Sequence, residues 1–484
     1  MSKRKNVIFI LSDQQRRDTV SSYGLNDVCK TPNIDALAED GMKFTNAFTP
    51  SAICSPARAS LLTGLYPTNH GVIDNHEDLK EGVEFLGDLM SSAGYYCGYA
   101  GKWHVSNTKT PLDCGFQDCK PFMGYAFPGS GVFENLKFPA YPSPKFPNHY
   151  KDYLDENGFS DVDVSGAFIG NNPAMQRQEM YARHDGEVES CIEYFVAQET
   201  CRLLEESKKH DKPFFLWSNF WGPHSPSVVP EPYYSMYNPK DIKEHPSYKE
   251  TFENKPYGHY LNAKMWGLDD FGWDGMAEIA ARYYGHCTLL DDMVGMIVNK
   301  LKEMGEFENT IIVYTCDHGD CLGAHRLMEK GAFTYDEIYR IPMVVHGAGN
   351  IDNDSLVYLH ELMPTALEIA GVQTSQKLDG ESLYPLIMDG NKSNNREDIY
   401  CQFNNHFYVT TQRMVRDNDY QFTFNQNEIG ELYDFKKDPY QLNNVCYDPE
   451  YADIKKKYVE KMSNHMKELK DPANVWFNRI KDFY

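Results

Sequence analysis

Short apolar runs alternate along this chain with longer segments in which apolar residues recur at helical spacing. Apolar runs of strand length indicate buried strands, and helical spacing indicates amphipathic helices. The clearest strands are predicted at Val7–Leu11, Tyr95–Ala100, Phe214–Phe220, Ile311–Cys316 and Met343–His346. Helices are predicted at Asn33–Glu39, Pro56–Leu62, Phe85–Ala93, Gly186–Lys208, Met276–Met304 and His360–Ala370. This alternation predicts an α/β fold in which a large, mostly parallel sheet lies between helices on both faces.

The pattern changes near Thr374. Short strand-like segments follow at Ile399–Phe403, Phe407–Thr411, Arg413–Arg416 and Tyr420–Phe424, before Glu431-Leu432-Tyr433-Asp434 and a charged helix near Tyr451–Leu469. Closely spaced short strands favour an antiparallel arrangement. We therefore predict a main domain over residues 1–373 and a smaller C-terminal α+β subdomain over residues 374–484, built on an antiparallel sheet.

Polar residues follow four of the predicted strands at the point where each strand ends. These residues are Asp13-Gln14, Lys102 with His104, Pro223-His224 and Asp317-His318. In open α/β sheets, ligands bind outside the carboxyl ends of the strands. The four clusters are therefore predicted to meet in one site.

The segment Cys54-Ser55-Pro56-Ala57-Arg58 places a sulfur nucleophile directly before a predicted helix. Ser55 is expected as its N-cap, Pro56 as its first residue and Gly64 as its end. A helix N-terminus favours an anion, and Arg58 adds a fork of donors suited to a tetrahedral oxyanion. These features indicate an activated cysteine or an anion pocket. A half-buried cysteine before an ordinary helix is the alternative interpretation.

The net charge of the chain limits the classes of macromolecule that it is expected to bind. The 484 residues include 47 basic and 70 acidic side chains, giving a formal net charge of −23. A strongly acidic chain argues against nucleic-acid and anionic-membrane partners, although local cations can still bind a small anionic substrate. No apolar run approaches the roughly 20 residues of a membrane span.

The cysteines and the first residues bear on the cellular compartment. The basic start followed by Val7–Leu11 is interpreted as a first core strand rather than a signal peptide. The 12 cysteines are scattered and are expected to be reduced. The pairs Cys114…Cys119 and Cys316…Cys321 are interpreted as structural. A cytoplasmic location is expected from these features.

The longer string Cys54-Ser-Pro-Ala-Arg-Ala-Ser-Leu-Leu-Thr-Gly64 resembles the signature of the type I sulfatases, in the alkaline phosphatase-like superfamily. The resemblance continues through Gly101-Lys102-Trp103-His104, Pro223-His224-Ser225-Pro226, Glu329-Lys330-Gly331, Leu432-Tyr433-Asp434 and Asp438-Pro439. It implies an alkaline phosphatase-like fold and hydrolysis of a sugar, aryl or alkyl O-sulfate to the alcohol and inorganic sulfate. It also implies that a formylglycine-generating maturation enzyme oxidises Cys54 to the aldehyde formylglycine.

The resemblance further implies one divalent cation held by Asp13, Gln14, Asp317, His318 and the modified Cys54. Calcium and magnesium prefer oxygen ligands, whereas an imidazole nitrogen is more typical of manganese. Calcium is therefore the favoured ion, and magnesium and manganese are the alternatives. Many family members carry Asp-Asp and Asp-Asn at the two pairs. Asp-Gln with Asp-His resembles the branch of choline sulfatases and phosphonate monoester hydrolases. A phosphonate monoester or phosphate diester hydrolase is therefore the alternative function.

The family mechanism assigns roles to matching residues. Arg58, Lys102, Lys330 and the cation hold the ester oxygens while the formylglycine hydrate attacks sulfur. His224 or Lys330 protonates the leaving alcohol. His104 then deprotonates the second hydroxyl of the sulfated hydrate, which expels sulfate and restores the aldehyde.

Two further interpretations concern function and substrate. A non-catalytic anion-binding protein with an unconverted Cys54 is the hypothesis from another class, and the intact motifs count against it. The substrate is expected to be a small sulfated molecule. Its alcohol part is predicted to lie among two irregular aromatic stretches, Pro121–Pro147 and Pro226–Trp273, and the C-terminal subdomain, with Asn75 and His76 as rim residues.

Overall fold

The computed structural model describes residues 4–122, 148–159, 162–170, 178–268, 272–390, 393–406 and 409–484. Its strands are β1 Asn6–Asp13, β2 Gly41–Phe48, β3 Tyr96–Lys102, β4 Asp118–Phe122, β5 Val164–Gly170, β6 Gln178–His184, β7 Phe214–Pro223, β8 Ser227–Pro230, β9 Thr310–Cys316, β10 Arg340–Ile341, β11 Met343–His346, β12 Ile351–Tyr358, β13 Ile399–Asn404, β14 Thr411–Arg416, β15 Tyr420–Asn425 and β16 Glu431–Asp434. Its helices are α1 Pro32–Glu39, α2 Cys54–Thr63, α3 Pro67–His70, α4 Leu86–Ser92, α5 His149–Asn157, α6 Ile192–Ser207, α7 Tyr257–Trp266, α8 Gly272–Glu303, α9 Asp336–Tyr339, α10 Leu362–Ala370, α11 Tyr384–Met388, α12 Ala452–Glu468 and α13 Asn474–Ile480.

A nine-stranded sheet forms the body of the described structure, in the order β10-β2-β11-β9-β1-β7-β3-β4, and β12 also pairs with β2. Strand β1 lies in the middle, parallel to β7 on one side and to β9 on the other. Strand β3 continues the parallel run between β7 and β4. The predicted α/β architecture with a mostly parallel central sheet is confirmed.

The side chains of β1 alternate between the two faces of the sheet, and both faces are covered by helices. Val7, Phe9 and Leu11 pack into one core with residues of α2, α4 and α10. Ile8 and Ile10 point to the opposite face and pack into a second core with residues of α6 and α8. A strand covered by helices on both faces has no solvent side, and therefore shows a continuous apolar run.

The C-terminal part forms a separate four-stranded antiparallel sheet in the order β13-β14-β15-β16. Helix α12 contributes Tyr458, Met462 and Met466 to its core, and Phe48 and Tyr66 of the preceding part join the same core. The predicted antiparallel sheet and charged helix are confirmed. The division at residue 373 stays a prediction.

The start of α2 differs from its prediction. The helix begins at Cys54, and Ile53 occupies the N-cap position with an extended backbone and no side-chain cap. Ser55 is buried in the first turn, and its backbone N–H donates to Oδ1 of Asn75 at 3.1 Å. Ser55 therefore lies inside the first turn instead of capping it, and its own free N–H is satisfied by a neighbouring loop. The predicted end is confirmed, since Gly64 has a left-handed backbone with φ of 67°.

Strand β11 forms as predicted. It pairs antiparallel with β9 on one side and with β2 on the other, within the mostly parallel sheet.

One of the two aromatic stretches differs from its prediction. The stretch Pro226–Trp273 is not irregular throughout, because it contains β8 and α7. Helix α7 buries His259, Asn262, Ala263 and Trp266 on one face, and the polar members of that face hide its helical period. Most of Pro121–Pro147 lies outside the described residues.

The predicted strand Phe407–Thr411 is also wrong where it can be compared. Residues 407 and 408 lie outside the described residues, residues 409 and 410 are not in a strand, and Thr411 opens β14. The backbone N–H of Asn405 donates to the carbonyl of Thr410 at 2.9 Å, which extends the pairing between β13 and β14 by one hydrogen bond.

Two global features complete the description. All twelve cysteines are free, which agrees with the expectation that they are reduced. In the portion of the chain for which coordinates are described, no helix combines the length and apolarity needed to cross a bilayer.

Candidate active site

Four strand ends and one helix start meet at the carboxyl edge of the central sheet. Asp13 closes β1, Lys102 closes β3, His224 follows β7 and Asp317 follows β9. Cys54 opens α2 on the opposite side of the same space, and its Sγ lies 3.9 Å from Oδ1 of Asp13. The predicted convergence of these residues is therefore confirmed by their positions.

The Cys54 sulfur occupies the centre of a buried group of potential metal ligands. Its Sγ lies 3.2 Å from Nε2 of His318. One ligand atom each from Asp13, Cys54, Asp317 and His318 lies within 4.8 Å of all the others. All four side chains are buried, so water competes little for their charges.

Arg58 holds the two carboxylates of this group together. Its Nε donates to Oδ2 of Asp317 and its Nη2 to Oδ2 of Asp13, each at 2.8 Å. Its Nη1 donates to Oδ1 of Asn219 at 3.0 Å. Burial lowers the pKa of Arg58, but the charges of Asp317 and Asp13 outweigh it and raise the pKa above its ordinary value. The guanidinium thus remains charged although it is fully buried.

Lys102 is the second cation at Asp13. Its Nζ lies 2.7 Å from Oδ2 of that carboxylate and 4.2 Å from the centre of the Trp221 ring. Burial raises the pKa of Asp13, but Lys102 and Arg58 overcome this effect and hold the pKa well below its ordinary value. Asp13 is therefore an anion, as a metal ligand must be.

Lys330, His224, Gln14 and Asp320 form a hydrogen-bonded chain beside Cys54. The Nζ of Lys330 donates to Oε1 of Gln14 and lies 2.8 Å from Nε2 of His224. The amide nitrogen Nε2 of Gln14 donates to Oδ2 of Asp320 at 2.5 Å. The Gln14 carboxamide is thereby oriented with its oxygen toward Lys330.

The tautomer of His224 follows from its two partners. Its Nδ1 lies 2.6 Å from the carbonyl oxygen of Ser225, which only accepts, so Nδ1 carries the proton. Nε2 is then the acceptor for Lys330. Burial and the charges of Lys330 and Lys102 keep the pKa of His224 well below its ordinary value. Burial lowers the pKa of Lys330, but Glu329 and Cys54 outweigh it and raise that pKa above normal. The proton of this pair resides on Lys330.

His318 is oriented by its neighbouring peptide. Its Nδ1 donates to the carbonyl oxygen of Gly319 at 2.9 Å, which turns Nε2 toward Cys54. A metal-ligating histidine commonly donates its other ring N–H to a carbonyl in this way. Burial lowers the pKa of His318, but the charge of Asp317 and the Cys54 sulfur raise it to about 9.

His104 lies at the edge of the same group of charges. Its backbone has a positive φ of 45°, which is strained for a non-glycine residue. Burial and the charge of Lys102 hold the pKa of His104 well below its ordinary value, and Arg58 and Lys330 act in the same direction. The imidazole is therefore neutral.

The residues present fit a divalent cation. Two anionic carboxylates and an imidazole nitrogen with a fixed tautomer converge within one small volume. The amide oxygen of Gln14, the other predicted ligand, accepts from Lys330, and its contact with a cation stays a prediction. Oxygen ligands suit calcium or magnesium, and the nitrogen extends the range to manganese.

Several side chains at the site were not identified from the sequence. Asn219 bonds to Arg58, Asp320 bonds to Gln14, and Trp221 lies under Lys102. Asn219 lies near the end of β7 and Asp320 closely follows Asp317-His318, so the rule that polar residues gather at strand ends also covers these two. Burial lowers the pKa of His406, in the C-terminal subdomain, and the charges of Lys330, His318 and His76 act in the same direction.

The two predicted rim residues lie at the entrance side of α2. Asn75 accepts a hydrogen bond from the backbone of Ser55, next to Cys54. His76 is exposed beside it, and its charge acts on His406. Their contact with a substrate remains a prediction.

Comparison with known proteins places the chain in a family. The sequence model described as Sulfatase matches residues 5–372. A second model, described as N-sulphoglucosamine sulphohydrolase, C-terminal, matches residues 323–468.

Similar proteins cover nearly the whole chain. The multifunctional alkaline phosphatase superfamily protein PehA of Trinickia caryophylli is 30% identical, over 95% of this chain and 94% of its own. An arylsulfatase of Clostridium perfringens is 28% identical, over 93% of this chain and 92% of its own. The crystal structure of a phosphonate monoester hydrolase of Agrobacterium radiobacter superposes with a TM-score of 0.79 at 25% identity, covering 96% of both chains.

Proposed function

This chain belongs to the sulfatase family of the alkaline phosphatase-like superfamily, whose members are sulfuric ester hydrolases, and from this premise we propose how it works. It hydrolyses a small sugar, aryl or alkyl O-sulfate to the alcohol and inorganic sulfate. The position of Cys54 is the main observation that supports this proposal. Cys54, the position of the family nucleophile, lies where two buried carboxylates, Arg58, Lys102, His318 and Lys330 converge.

The nucleophile is an oxygen derived from Cys54. A formylglycine-generating maturation enzyme converts this cysteine to an aldehyde, and the hydrate of that aldehyde carries two hydroxyl groups on one carbon. The thiol at position 54 is 1% exposed in the folded chain. Conversion therefore takes place on the unfolded or partly folded chain.

A divalent cation, with calcium favoured, would be held by Asp13, Gln14, Asp317, His318 and residue 54, and would supply Lewis-acid polarisation of the ester oxygens. Arg58 and Lys102 hold Asp13 in its anionic form and in one orientation. Lys102 and Lys330 also present positive charge to the sulfate group. Cations held in place before the reaction stabilise the charge that develops on the sulfate oxygens.

Lys330 and His104 transfer protons in the proposed reaction. Lys330 donates to the leaving alcohol, because it is the member of the Lys330–His224 pair that carries a proton. His224 orients the Lys330 ammonium by accepting a hydrogen bond at Nε2. His104 is neutral and accepts the proton of the second hydroxyl at residue 54 when sulfate leaves.

A phosphonate monoester or phosphate diester hydrolase is the second candidate function. The phosphonate monoester hydrolase of Agrobacterium radiobacter shares the fold, and PehA is described as multifunctional. In this chain, Gln14 and His318 take the places of the second acidic residue and the asparagine found in many sulfatases. A phosphonate monoester and a phosphate diester each carry one negative charge, as a sulfate monoester does, so the same cationic groups can bind all three kinds of ester.

The experiment is mass spectrometry of the peptide around Cys54, combined with turnover of matched esters. An aryl sulfate and the corresponding aryl phosphonate monoester are assayed with one preparation of known aldehyde content. Faster sulfate turnover in proportion to aldehyde content supports the proposed function, and faster phosphonate turnover supports the second candidate. Preparations with full aldehyde content that hydrolyse neither ester contradict both.

A further inference from the structure

Gln14 is held in place at each of its polar groups. Its backbone has a positive φ of 64°, which is strained for a residue other than glycine. Its N–H donates to Oδ1 of Asp317 at 3.1 Å, and its carbonyl accepts from the hydroxyl of Tyr283 at 2.5 Å. Its side chain contacts Asp320 through Nε2 and Lys330 through Oε1. Strain of this kind persists where the surrounding structure determines the conformation.

The loop from His318 to Lys330 is closed by Asp320. The Asp320 side chain is buried, and its Oδ1 accepts from the backbone N–H groups of Leu322 at 2.7 Å and Glu329 at 3.0 Å. Both of these residues have positive φ angles, 44° for Leu322 and 54° for Glu329. Because Lys330 directly follows Glu329, this oxygen fixes the backbone from which the Lys330 side chain extends.

The two oxygens of Asp320 therefore act on both partners of the hydrogen bond between Gln14 and Lys330. Oδ2 accepts from Nε2 of Gln14 at 2.5 Å, and the amide oxygen of Gln14 accepts from Nζ of Lys330. Oδ1 is connected to Lys330 through the backbone of Glu329. The four residues thus form a closed ring in which one carboxylate holds both sides of the contact.

The directions of the hydrogen bonds in this ring explain why position 14 is a glutamine. The ammonium of Lys330 only donates, and a carboxylate only accepts. The side chain between them must therefore accept on one side and donate on the other, and a carboxamide meets this requirement. A carboxylate at position 14 would instead place two anions at the 2.5 Å contact with Asp320. Asp320 thus determines which atom of Gln14 faces Lys330.

We propose that Asp320 is a positioning residue for Lys330. It fixes the Gln14 carboxamide and the Glu329 backbone, and it thereby holds the Lys330 ammonium where it reaches the leaving oxygen of the ester. This inference rests on the proposed function, in which Lys330 protonates the leaving alcohol. A proton donor is effective only within hydrogen-bond reach of the atom that it protonates. Asp320 therefore acts on the reaction through its two neighbours rather than on the ester itself.

The test reverses the direction of the hydrogen bond between positions 14 and 320. In Asp320→Asn, the side-chain oxygen stays with the two backbone N–H groups, so the amide nitrogen faces Nε2 of Gln14, donor against donor. In the double variant of Gln14→Glu with Asp320→Asn, the carboxylate at position 14 accepts from both the asparagine and Lys330. The total charge of the pair is then that of the wild type.

The main measurement is kcat/KM on an alkyl sulfate at a saturating concentration of calcium. Asp320→Asn and Gln14→Glu are each expected to lower it about 10–100-fold, and the double variant is expected to recover at least about tenfold over either. Melting temperatures of the four proteins give a readout that does not depend on turnover. The double variant is expected to melt above both single variants, including a single variant that folds poorly.

Two comparisons separate positioning from a general structural role. An aryl sulfate with an acidic phenol needs little protonation, so Asp320→Asn is expected to change its kcat/KM by less than about threefold. Asp417→Asn is the matched control, because Oδ1 of Asp417 also accepts from two backbone N–H groups of its own turn. These belong to Asp419 at 2.9 Å and Tyr420 at 3.0 Å. This control is expected to leave turnover of both esters unchanged.

Specific outcomes overturn the inference. Losses that multiply in the double variant, with no recovery over either single variant, would show that the two positions do not act as a pair. Equal losses on the alkyl and aryl esters in Asp320→Asn would assign Asp320 to the cation or to the fold rather than to Lys330. A fully converted wild type that hydrolyses no sulfate ester contradicts the proposed function instead.

Discussion

Nε2 of His318 lies 3.2 Å from the sulfur of Cys54, while Nδ1 of the same ring donates to the carbonyl of Gly319. The imidazole therefore has one nitrogen that can exchange a proton for a cation. Because Asp317 and the Cys54 sulfur raise the pKa of His318 to about 9 against the effect of burial, this nitrogen is protonated at neutral pH when no cation is bound.

In the protein with unconverted Cys54, cation binding is expected to release a proton from His318. Below pH 9, the cation competes with this proton, so its apparent affinity rises with pH by up to about tenfold per unit and levels off above pH 9. Titration calorimetry of calcium binding in two buffers with different ionisation enthalpies measures the released proton. In His318→Gln, the released proton and the slope are both expected to disappear. An affinity independent of pH in the wild type would contradict this assignment.

The same histidine makes the metal-free protein dependent on pH. A folded-state pKa raised above the ordinary value of about 6.5 stabilises the fold fully below that value. This contribution is lost as the pH rises through about 9. Urea unfolding in a chelator between pH 6 and 10 is expected to show this decline, and His318→Gln is expected to flatten it. An equal decline in both proteins would assign the dependence to other groups.

The guanidinium of Arg58 offsets the negative charge of two buried carboxylates. Arg58→Ala therefore leaves Asp13 and Asp317 without their shared cation. We expect the metal-free variant to lose about 3–5 kcal/mol of unfolding free energy, because an unpaired buried charge is costly. A saturating divalent cation is expected to recover part of this loss, since it supplies positive charge to the same carboxylates. Urea denaturation with calcium and with a chelator measures both effects.

Arg202→Ala is the matched control for this prediction. Arg202 also pairs with a carboxylate, Asp118, but both side chains are partly exposed. Such a pair contributes about 0–1 kcal/mol, and its removal is expected to be insensitive to calcium. Equal destabilisation of the two variants would show that burial does not set the importance of Arg58.

Cys54→Ser is expected to bind substrate without multiple turnover. A serine oxygen can attack the ester, but it lacks the second hydroxyl group that expels sulfate from the formylglycine hydrate. We expect kcat to fall by at least about a thousandfold while a sulfated substrate still protects the protein thermally. The measurement is steady-state turnover combined with intact mass, which reports any trapped sulfated serine. Steady-state turnover at the wild-type rate would exclude the proposed mechanism.

Lys330→Ala is expected to affect poor leaving groups most. Because Lys330 holds the proton of the Lys330–His224 pair, its loss removes protonation of an alkoxide but matters less for an acidic phenol. We expect kcat/KM to fall about 10²–10⁴-fold on an alkyl sulfate and clearly less on 4-nitrophenyl sulfate. Lys300→Ala, which removes a lysine of α8 that pairs with exposed Glu205 of α6, is the control. Equal losses on both esters would restrict Lys330 to charge stabilisation.

The sequence predicted the central sheet and the convergence of Asp13, Lys102, His224 and Asp317 because both depend on local signals. An apolar run identifies a strand, and the polar residue at its end lies at the carboxyl edge of the sheet. The eleven residues from Cys54 to Gly64 likewise identified the family without knowledge of the fold. Local signals failed at Ser55, whose backbone N–H is bonded by Asn75 from outside the helix.

Only the tertiary structure decided which groups share a proton or a charge. The positions of Lys330 and His224 in the sequence cannot say which of them is protonated, because that depends on the carbonyl of Ser225 and on burial. The packing of Phe403 against Ile53 and Ala332 likewise joins residues that lie far apart in the sequence. Periodicity and turn chemistry act over a few residues and can be identified along the chain. Contacts between distant residues, and the low-dielectric environment that sets their charges, exist only after the chain has folded.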